Sequence, residues 1–238
     1  NSGDLIIEKK ASISTYGNKI LYWKNKNEWK DIFKFIQPSA FVAGKLTGLK
    51  AENAYIDETF ICFSGLSNLK KSEWSYELCK KLDIDTAKLP QIIKSSEIIG
   101  QVTKKGSEDS GLPVGLPVAA GCGDQSAGFV GAGILGKGQM VDVSGTACIL
   151  GICSDLYRYD LKHKTLACIK SAIGNYYHLI SVVLAGRTHK WLVDEFFKEE
   201  KELAKETGIN VYDYLDAEAE KLNCGSDGLV SIDYLQGR

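Results

Sequence analysis

The sequence lacks the features that mark membrane-spanning, secreted and metal-centred proteins. No uninterrupted apolar stretch approaches the ~20 residues that a transmembrane helix needs, and the polar residues 1–4 are unlike a secretory signal. The seven cysteines include no C-x-x-C pair, and the three histidines have no paired ligand spacing. We therefore expect a cytoplasmic protein with buried free thiols and no metal site formed by its own side chains.

A strong charge of either sign is also missing. Lys and Arg number 29 and Asp and Glu 30, which gives a net charge of -1 and an isoelectric point near 6.4. The chain has no basic stripe of the kind that binds a phosphate backbone, so nucleic acid is not an expected partner. With 44% hydrophobic and 25% charged residues, the composition is that of a globular chain that can bury a core.

Apolar spacing predicts helices in the first part of the chain. A helix is predicted over residues 29–36, because apolar side chains recur there at i, i+3, i+4 and i+7: Trp29, Ile32, Phe33 and Ile36. Pro38 suits the first turn of a second helix, which ends at Gly48. Residues 73–82 form a third predicted helix, which stops before Leu89-Pro90, and residues 107–111 form a helical turn.

The remaining pattern alternates strands and helices, which indicates an α/β protein. Strands are predicted over 98–102 and 116–121, as a hairpin over 139–143 and 147–151, and as a pair over 166–173 and 177–184. Helices are predicted over 125–133, from Thr188 onwards, and after Asn210, which is a suitable N-cap.

Asp124 lies immediately after a predicted buried strand and at the start of a predicted helix. This is the kind of position at which open α/β sheets bind ligands. Its carboxylate has three candidate roles: helix N-cap, metal ligand or general base. The local sequence alone leaves these roles open.

Two glycine turns further along the chain are candidate anion-binding segments. Ser144-Gly145-Thr146 lies at the predicted hairpin tip, where glycine lets a ligand approach the backbone and a hydroxyl and N–H groups can hold phosphate oxygens. Residues 185–191 lead through Gly186 into a helix whose first amides can face an anion. An ordinary hairpin turn and a plain helix start remain alternatives, and the chain has no Walker-type phosphate loop.

Taken in order, these segments resemble the FGGY carbohydrate kinases, the family of glycerol kinase, xylulokinase and ribulokinase. The resemblance extends over nearly the whole chain, and the ordered set is more specific than any one member. The segments that carry it are KILYWK at 19–24, FVAGKLTG at 41–48, Glu73-Trp74, Leu89-Pro90, GCGDQ at 121–125, VSGT at 143–146, and 227–238, which contains DGL and ends in YLQGR.

The resemblance implies phosphoryl transfer from ATP with Mg²⁺ to a sugar hydroxyl, on an actin-like, ribonuclease H-like fold of two lobes. Residues 1–133 would form the C-terminal part of the first lobe, and residues 134–238 the N-terminal part of the second. The implied ligands are a small sugar and ATP, without nucleic acid or membrane, and the resemblance leaves a homodimer open.

The family's functional residues match a small set of positions in this sequence. Asp124 matches the catalytic base, and Gln125 a residue that contacts the polyol in glycerol kinase. A sugar-contacting tyrosine of glycerol kinase would fall near Ser14, and this departure favours a pentulose such as xylulose or ribulose over glycerol. The positions that match nucleotide contacts are Gly145, Thr146, Gly186 and Lys190.

Two parts of the family pattern are absent from these 238 residues: the N-terminal Asp-x-Gly-Thr/Ser phosphate hairpin and the glycine-rich adenosine motif. We therefore expect an internal fragment that is inactive by itself. Arg187 and His189 also depart from the small and apolar residues of the family at the nucleotide-side turn. A non-catalytic sugar- or nucleotide-binding protein and a structural α/β domain with three coincidental turns are the alternatives.

Overall fold

The computed structural model describes residues 16–158 and 166–232. Ser14 and the end of the 227–238 motif lie outside these ranges. The α-helices of the described residues are α1 (Tyr16–Lys24), α2 (Pro38–Thr47), α3 (Tyr76–Lys81), α4 (Lys104–Ser110), α5 (Asp124–Gly131), α6 (Gly186–Phe196), α7 (Lys198–Thr207) and α8 (Val211–Ala219). The strands are β1 (Tyr55–Asp57), β2 (Ser67–Asn68), β3 (Glu73–Trp74), β4 (Gln91–Ile93), β5 (Ile98–Gln101), β6 (Pro117–Ala119), β7 (Met140–Ser144), β8 (Ala147–Ser154), β9 (Ala167–Lys170) and β10 (Tyr177–Leu184).

Several helix ends lie where local sequence predicts them. Helix α2 has Pro38 in its first turn and ends at Gly48, which adopts the left-handed conformation with φ 67° and donates its N–H to the Gly44 carbonyl. Helix α4 ends in the same way at Gly111, with φ 78°. The side chain of Asn210 caps α8 by accepting a hydrogen bond from the Tyr212 amide at 3.0 Å. These predictions are confirmed.

The predicted helix over 29–36 is wrong. Residues Asn27–Asp31 form a short 3-10 helix, and the chain is extended from Ile32 onwards. The Phe35 amide donates to the Lys88 carbonyl at 2.8 Å, and the Lys34 ammonium donates to the Ala87 carbonyl at 2.8 Å. Hydrogen bonds to a segment more than fifty residues away therefore replace the intrahelical bonds that the apolar spacing predicted.

The predicted third helix is shorter than expected at its start. Glu73 and Trp74 form strand β3, and the helix begins only after Ser75, whose hydroxyl accepts a hydrogen bond from the Leu78 amide at 3.4 Å. Strand β3 pairs with β2 in the antiparallel sense, with Ser67 opposite Trp74. Because Glu73 and Trp74 pair with β2, these two residues do not belong to α3.

The strands form three two-stranded sheets and one four-stranded sheet within the described residues. Strand β1 is parallel to β4, whereas β5 and β6 are antiparallel, as are β2 and β3. The larger sheet has the order β7-β8-β10-β9, and β9 and β10 are antiparallel with Tyr177 opposite Lys170. The predicted strands at 98–102 and 116–121, the hairpin and the pair are confirmed, each with small shifts of its ends.

The chain divides into two compact units. Among the described residues, the first unit comprises 16–141 and 151–180, and the second comprises 142–150 and 181–232. In the first unit, one core cluster joins α1 to α3 and the loops around them through Ile20, Leu66, Cys79, Ile84 and Leu89. The second unit contains the hairpin tip and helices α6 to α8. The lobe boundary predicted after Gly133 stays a prediction.

The cysteines are free thiols with different environments. Cys79, Cys153 and Cys168 are buried, and Cys62, Cys122 and Cys148 are half-buried. Burial raises the pKa of the Cys168 thiol to about 11, because the thiolate would lose its hydration. Cys224 is exposed, so the prediction of burial is wrong for this residue, which lies in the polar segment after α8.

The described residues contain neither a metal-ligating cluster nor a candidate membrane-spanning helix. In the parts of the chain that the structure describes, no group of three or more His, Cys, Asp or Glu side chains is arranged to hold a metal ion. None of the helices in these parts is both long enough and apolar enough to cross a membrane.

Gly106 lets α4 pack directly against the backbone of α2. A Cβ atom at this position would lie 2.2 Å from the Leu46 carbonyl oxygen, which also accepts a hydrogen bond from the Thr103 amide at 3.0 Å. We predict that Gly106→Ala lowers the free energy of unfolding by about 1–3 kcal/mol, because the helices must separate. Chemical denaturation of the complete protein measures this change.

Gly128 provides the matched control for this prediction. It also lies inside a helix, but a Cβ atom there would meet nothing within 4 Å. Gly128→Ala should leave the stability unchanged or raise it by up to about 1 kcal/mol, because alanine has the higher helix propensity. Equal effects of the two substitutions would contradict the packing argument.

Candidate active site

Asp124 is the first residue of α5, and the turn at residues 121–123 precedes it. Strand β6 leads into this turn, but it is not buried as the sequence predicted: Val118 is half-buried and its neighbours Pro117 and Ala119 are exposed. The reason is that β6 pairs with β5 alone in a two-stranded sheet. The buried residue is Ala120, which follows the strand and packs in the cluster with Tyr55.

The backbone before Asp124 is held by hydrogen bonds to two other segments, β1 and the connection between β4 and β5. The Tyr55 hydroxyl donates to the Ala120 carbonyl at 3.0 Å, and the Ala120 amide donates to the Glu97 carbonyl at 2.8 Å. The Gly121 amide donates to the Ser95 carbonyl at 3.1 Å. Gly121 has φ 82°, a conformation that glycine adopts without the steric cost of a side chain. Strand β1 and the segment after β4 therefore hold the chain that leads into α5.

A buried carboxylate, Asp57, is linked by hydrogen bonds to the segment 121–123. Asp57, only 1% exposed, ends β1 and accepts hydrogen bonds from the Thr59 amide at 2.9 Å and from the Thr59 hydroxyl. Its other oxygen accepts from the Gln37 amide group at 2.8 Å. The Thr59 hydroxyl oxygen in turn accepts a hydrogen bond from the Gly123 amide at 2.8 Å. Asp57 is thus connected through Thr59 to the residue that precedes Asp124.

Helix α5 is also held along its buried face. The Ser126 hydroxyl donates to the Lys170 carbonyl at 2.9 Å, and the Phe129 ring packs edge-on against His178 with 4.5 Å between ring centroids. A Cβ atom at Gly151 would lie 2.3 Å from the Phe129 ring. The helix therefore lies directly on strands β8 to β10, and only glycine leaves room for the Phe129 ring.

An ion pair lies beside Thr59. The Lys170 ammonium is 3.9 Å from the Glu58 carboxylate, and the two side chains are only 11% and 12% exposed. Burial raises the pKa of Glu58, and the nearby Lys170 charge opposes this shift. The same ammonium lies 4.9 Å from the centroid of the Tyr177 ring. The pair joins the segment after β1 to β9.

The Asp124 carboxylate itself is exposed at the N-terminal end of α5. One oxygen, Oδ1, accepts a hydrogen bond from the Gln125 amide at 2.8 Å. Gly123 occupies the N-cap position, so Asp124 is not the capping residue. No described metal-ligating cluster includes it. The structure therefore does not support the N-cap role for Asp124, and the metal-ligand and general-base roles stay predictions.

Three of the four predicted nucleotide-binding residues meet in the second unit. The Gly186 amide donates to the Gly145 carbonyl at 2.9 Å, and the Arg187 amide donates to the Thr146 carbonyl at 3.3 Å. A Cβ atom at Gly186 would lie 2.5 Å from the Gly145 oxygen. The hairpin tip and the start of α6 therefore form one continuous backbone surface.

The fourth residue, Lys190, lies one turn further along α6. Its ammonium is 2.7 Å from the Asp194 carboxylate, and this partner raises the pKa of Lys190. At the other end of the hairpin tip, Asp142 accepts hydrogen bonds from Ser144 at 2.7 Å and from Cys148 at 3.1 Å, which lower the pKa of Asp142.

Sequence reasoning missed Asp57 and Thr59. A local signal was present, because an aspartate followed two residues later by threonine after the apolar residues 54–56 favours a turn in which the carboxylate accepts the threonine amide. The contact with Gly123 had no such signal, since it joins residues 64 positions apart.

Solved structures of sugar kinases share this fold. The xylulose kinase of Rhodospirillum rubrum aligns with a TM-score of 0.79 at 22% identity, over 100% of this chain and 49% of that protein. The gluconate kinase of Lactobacillus acidophilus aligns with a TM-score of 0.76 at 23% identity, over 93% of this chain and 42% of that protein. The predicted actin-like α/β sugar-kinase fold, present in part, is confirmed.

The sequence gives the family. Residues 12–131 match the N-terminal domain of the FGGY family of carbohydrate kinases. The xylulose kinase of Staphylococcus xylosus is 27% identical over 225 residues, which are 92% of this chain and 43% of that protein. The autoinducer-2 kinase of Klebsiella pneumoniae is 27% identical over 195 residues, 82% of this chain and 36% of that protein. The chain belongs to the FGGY family and spans less than half the length of these curated relatives.

The packing of α5 on β10 generates a prediction about pH. His178 is fully buried, and neither ring nitrogen has a hydrogen-bond partner among the described residues. Burial lowers the pKa of His178 to about 4, because the charged ring would lose its hydration. The folded state therefore binds fewer protons than the unfolded state between about pH 4 and the unfolded histidine value of about 6.5. His178 thus lowers the stability as the pH falls through this window.

We predict that His178→Phe removes this loss. At pH 7.5 and above, the difference in unfolding free energy between the variant and the original protein reports packing alone. Toward pH 4 the original protein should lose up to about 3 kcal/mol relative to the variant. Denaturant titrations at several pH values measure this difference. A difference that stays constant with pH would show that His178 is not buried in its neutral form.

Proposed function

We propose that the protein containing this chain transfers a phosphoryl group from ATP to a hydroxyl of a ketose or polyol, with Asp124 as general base. The observation that carries the proposal is the exposed Asp124 carboxylate at the start of α5, in a chain that belongs to the FGGY carbohydrate kinases. Because the chain spans 43% of its Staphylococcus xylosus relative, the proposal concerns the complete protein.

The chemistry assigned to Asp124 follows from its two oxygens. Oδ1 is occupied by the Gln125 amide, and Oδ2 accepts no hydrogen bond from the described residues. Oδ2 is therefore the oxygen that accepts the proton of the sugar hydroxyl, while the sugar oxygen bonds to the γ-phosphorus and the bond to ADP breaks. The proton then leaves Asp124 to solvent, to which this side chain is exposed. General-base catalysis of this kind is typically worth ~10²–10⁴ in rate.

The sugar is the less defined ligand. Gln125 is half-buried beside Asp124 and is assigned a contact with the sugar. A pentulose such as xylulose or ribulose is favoured over glycerol, and the likeness to the xylulose kinases supports this preference. The autoinducer-2 kinase of Klebsiella pneumoniae has the same identity to this chain, 27%, as the Staphylococcus xylosus xylulose kinase. Autoinducer-2 should therefore be tested as a substrate beside the ketoses and polyols.

The surface formed by Gly145, Thr146 and Gly186 is the proposed phosphate cradle. A Cβ atom at Gly186 would lie 2.5 Å from the Gly145 oxygen, so glycine lets the start of α6 lie directly against the hairpin tip. The exposed Thr146 side chain is the group assigned to phosphate oxygens, since the Gly186 and Arg187 amides already donate to the hairpin tip. Lys190 adds a positive charge when it exchanges Asp194 for phosphate.

Magnesium would enter with the nucleotide. Mg²⁺ is commonly held by substrate phosphates, water and one or two carboxylates, and it neutralises charge on the phosphates when bound. Across residues 16–158 and 166–232, no cluster of three or more metal-ligating side chains is present. We assign no ligand and no step of the reaction to the ion.

A non-catalytic sugar- or nucleotide-binding protein of the same fold is the second candidate. The observation that favours it is the presence of Arg187 and His189 at the nucleotide-side turn, where the family has small and apolar residues. Turnover separates the two functions. A complete protein that binds ATP or a sugar but phosphorylates none of the ketoses and polyols in a broad panel would favour binding alone.

We predict that Asp124→Asn lowers kcat by about 10²–10⁴ and leaves the KM for ATP little changed, because it removes the proton acceptor and keeps the shape of the side chain. An ATP-consumption assay of the complete protein across the sugar panel measures both constants. Asp109→Asn is the control, since it neutralises another exposed carboxylate, one paired with Lys105 on α4. Equal turnover of Asp124→Asn and the original protein would rule out the general-base role.

Gly186→Ala tests the phosphate cradle. The added Cβ would push the start of α6 away from Gly145, so the KM for ATP should rise by about tenfold or more, while the KM for the sugar stays close to its original value. Gly136→Ala is the control, because a Cβ there makes only an ordinary contact with Gln139 at 3.6 Å. Thermal unfolding checks that both variants are folded. An unchanged KM for ATP in a folded Gly186→Ala variant argues against the cradle.

A further inference from the structure

We propose that Thr59 is a positioning residue for Asp124, acting through the hydrogen bond between its hydroxyl oxygen and the Gly123 amide. The inference rests on the proposed function, since it concerns the placement of the proposed general base. Thr59 makes no hydrogen bond to Asp124, and its side chain is buried. We therefore expect an effect of Thr59 on turnover to act through its contact with Gly123, the residue before Asp124.

The direction of each hydrogen bond in this group follows from its chemistry. The Gly123 amide can only donate, and Oδ1 of Asp57 accepts from the Thr59 hydroxyl. A hydroxyl has one proton and two lone pairs, so Thr59 gives its proton to Asp57 and receives the Gly123 proton on its oxygen. Of the side chains of similar size, only a threonine or serine hydroxyl satisfies both neighbours at once.

The acceptor that orients Thr59 is itself fixed. Asp57 is buried, and its Oδ2 accepts a hydrogen bond from the Gln37 amide group at 2.8 Å. The Thr59 amide donates to the same Asp57 oxygen as the Thr59 hydroxyl, which sets the rotamer of the threonine. Charge-assisted hydrogen bonds of this kind are stronger than those between neutral groups. The Thr59 oxygen is therefore presented to Gly123 in one orientation.

A second connection reaches the same end of α5. Glu58, the neighbour of Thr59, pairs with the Lys170 ammonium, and the Lys170 carbonyl accepts the Ser126 hydroxyl. Gly123 and Ser126 are three residues apart and therefore lie on one face of the helix. The segment after β1 thus holds α5 directly at its N-cap and indirectly one turn later. Displacement of the N-terminal end of α5 from the segment after β1 therefore requires the loss of at least one of these contacts.

The experiment compares Thr59→Val with Thr59→Ser in the complete protein. Valine keeps the branched shape of threonine but lacks the hydroxyl, and serine keeps the hydroxyl. Thr59→Val should lower kcat by about 10–100-fold, the range found when groups that orient a reactive residue are removed, and leave the KM for ATP unchanged. Thr59→Ser should stay within about threefold of the original protein. Equal kcat values for valine and the original protein would overturn the proposal.

A double variant separates positioning from general damage. In the Asp124→Asn background the further change Thr59→Val should have little effect on the residual rate, because Thr59 acts only through the missing carboxylate. A further drop of tenfold or more would show that Thr59 supports the fold at large and would overturn the proposal. If Asp124→Asn itself keeps full turnover, the general-base function fails, and this result is distinct from a failure of Thr59 to affect an Asp124-dependent rate.

Hydrogen exchange gives a readout that does not depend on turnover. The Gly123 amide should exchange with solvent at least tenfold faster in Thr59→Val than in Thr59→Ser, while the Ala127 amide, which donates to the Gly123 carbonyl inside α5, keeps its protection. Equal loss of protection at both amides would indicate unfolding of the helix. This result would contradict a specific role in the turn.

Discussion

The buried carboxylate of Asp57 is the constraint around which the first unit is built at its candidate site. An acceptor with two oxygens and almost no contact with water must be surrounded by donors, and leaving such a group unpaired is costly. Gln37, Thr59 and Ser95 supply these donors from the start of α2 and from the segments that follow β1 and β4. Three pieces of chain that are distant in sequence are thereby tied to one point.

The same requirement leaves a cost elsewhere. To donate to Asp57, the Gln37 amide group must turn its nitrogen toward the carboxylate, and its oxygen Oε1 is then buried without a partner among the described residues. A neutral acceptor left unpaired costs about 1–3 kcal/mol, less than a buried carboxylate that lacks donors. In this arrangement the Asp57 carboxylate has its donors, and the Gln37 amide oxygen is the group left unpaired.

Sequence reasoning succeeded where the cause is local and failed where it is not. The ends of α2 follow from the fixed φ of Pro38 and the left-handed Gly48, and the strand-turn-helix around Asp124 follows from its apolar and glycine residues. The helix expected over residues 29–36 was wrong, because Phe35 finds its hydrogen-bond partner at Lys88. The hydrogen bond from the Gly123 amide to Thr59 could not be predicted either, because it joins two residues that are distant in the sequence and are related by no motif.

The backbone contact between Gly145 and Gly186 has a consequence for the timing of ligand binding. Because the hairpin tip and the first turn of α6 are already joined by hydrogen bonds, neither segment has to be ordered when an anion arrives. The loss of conformational entropy has occurred during folding, and this lowers the entropic penalty of association. A ligand at this surface would therefore meet two segments whose mutual placement is already set before it arrives.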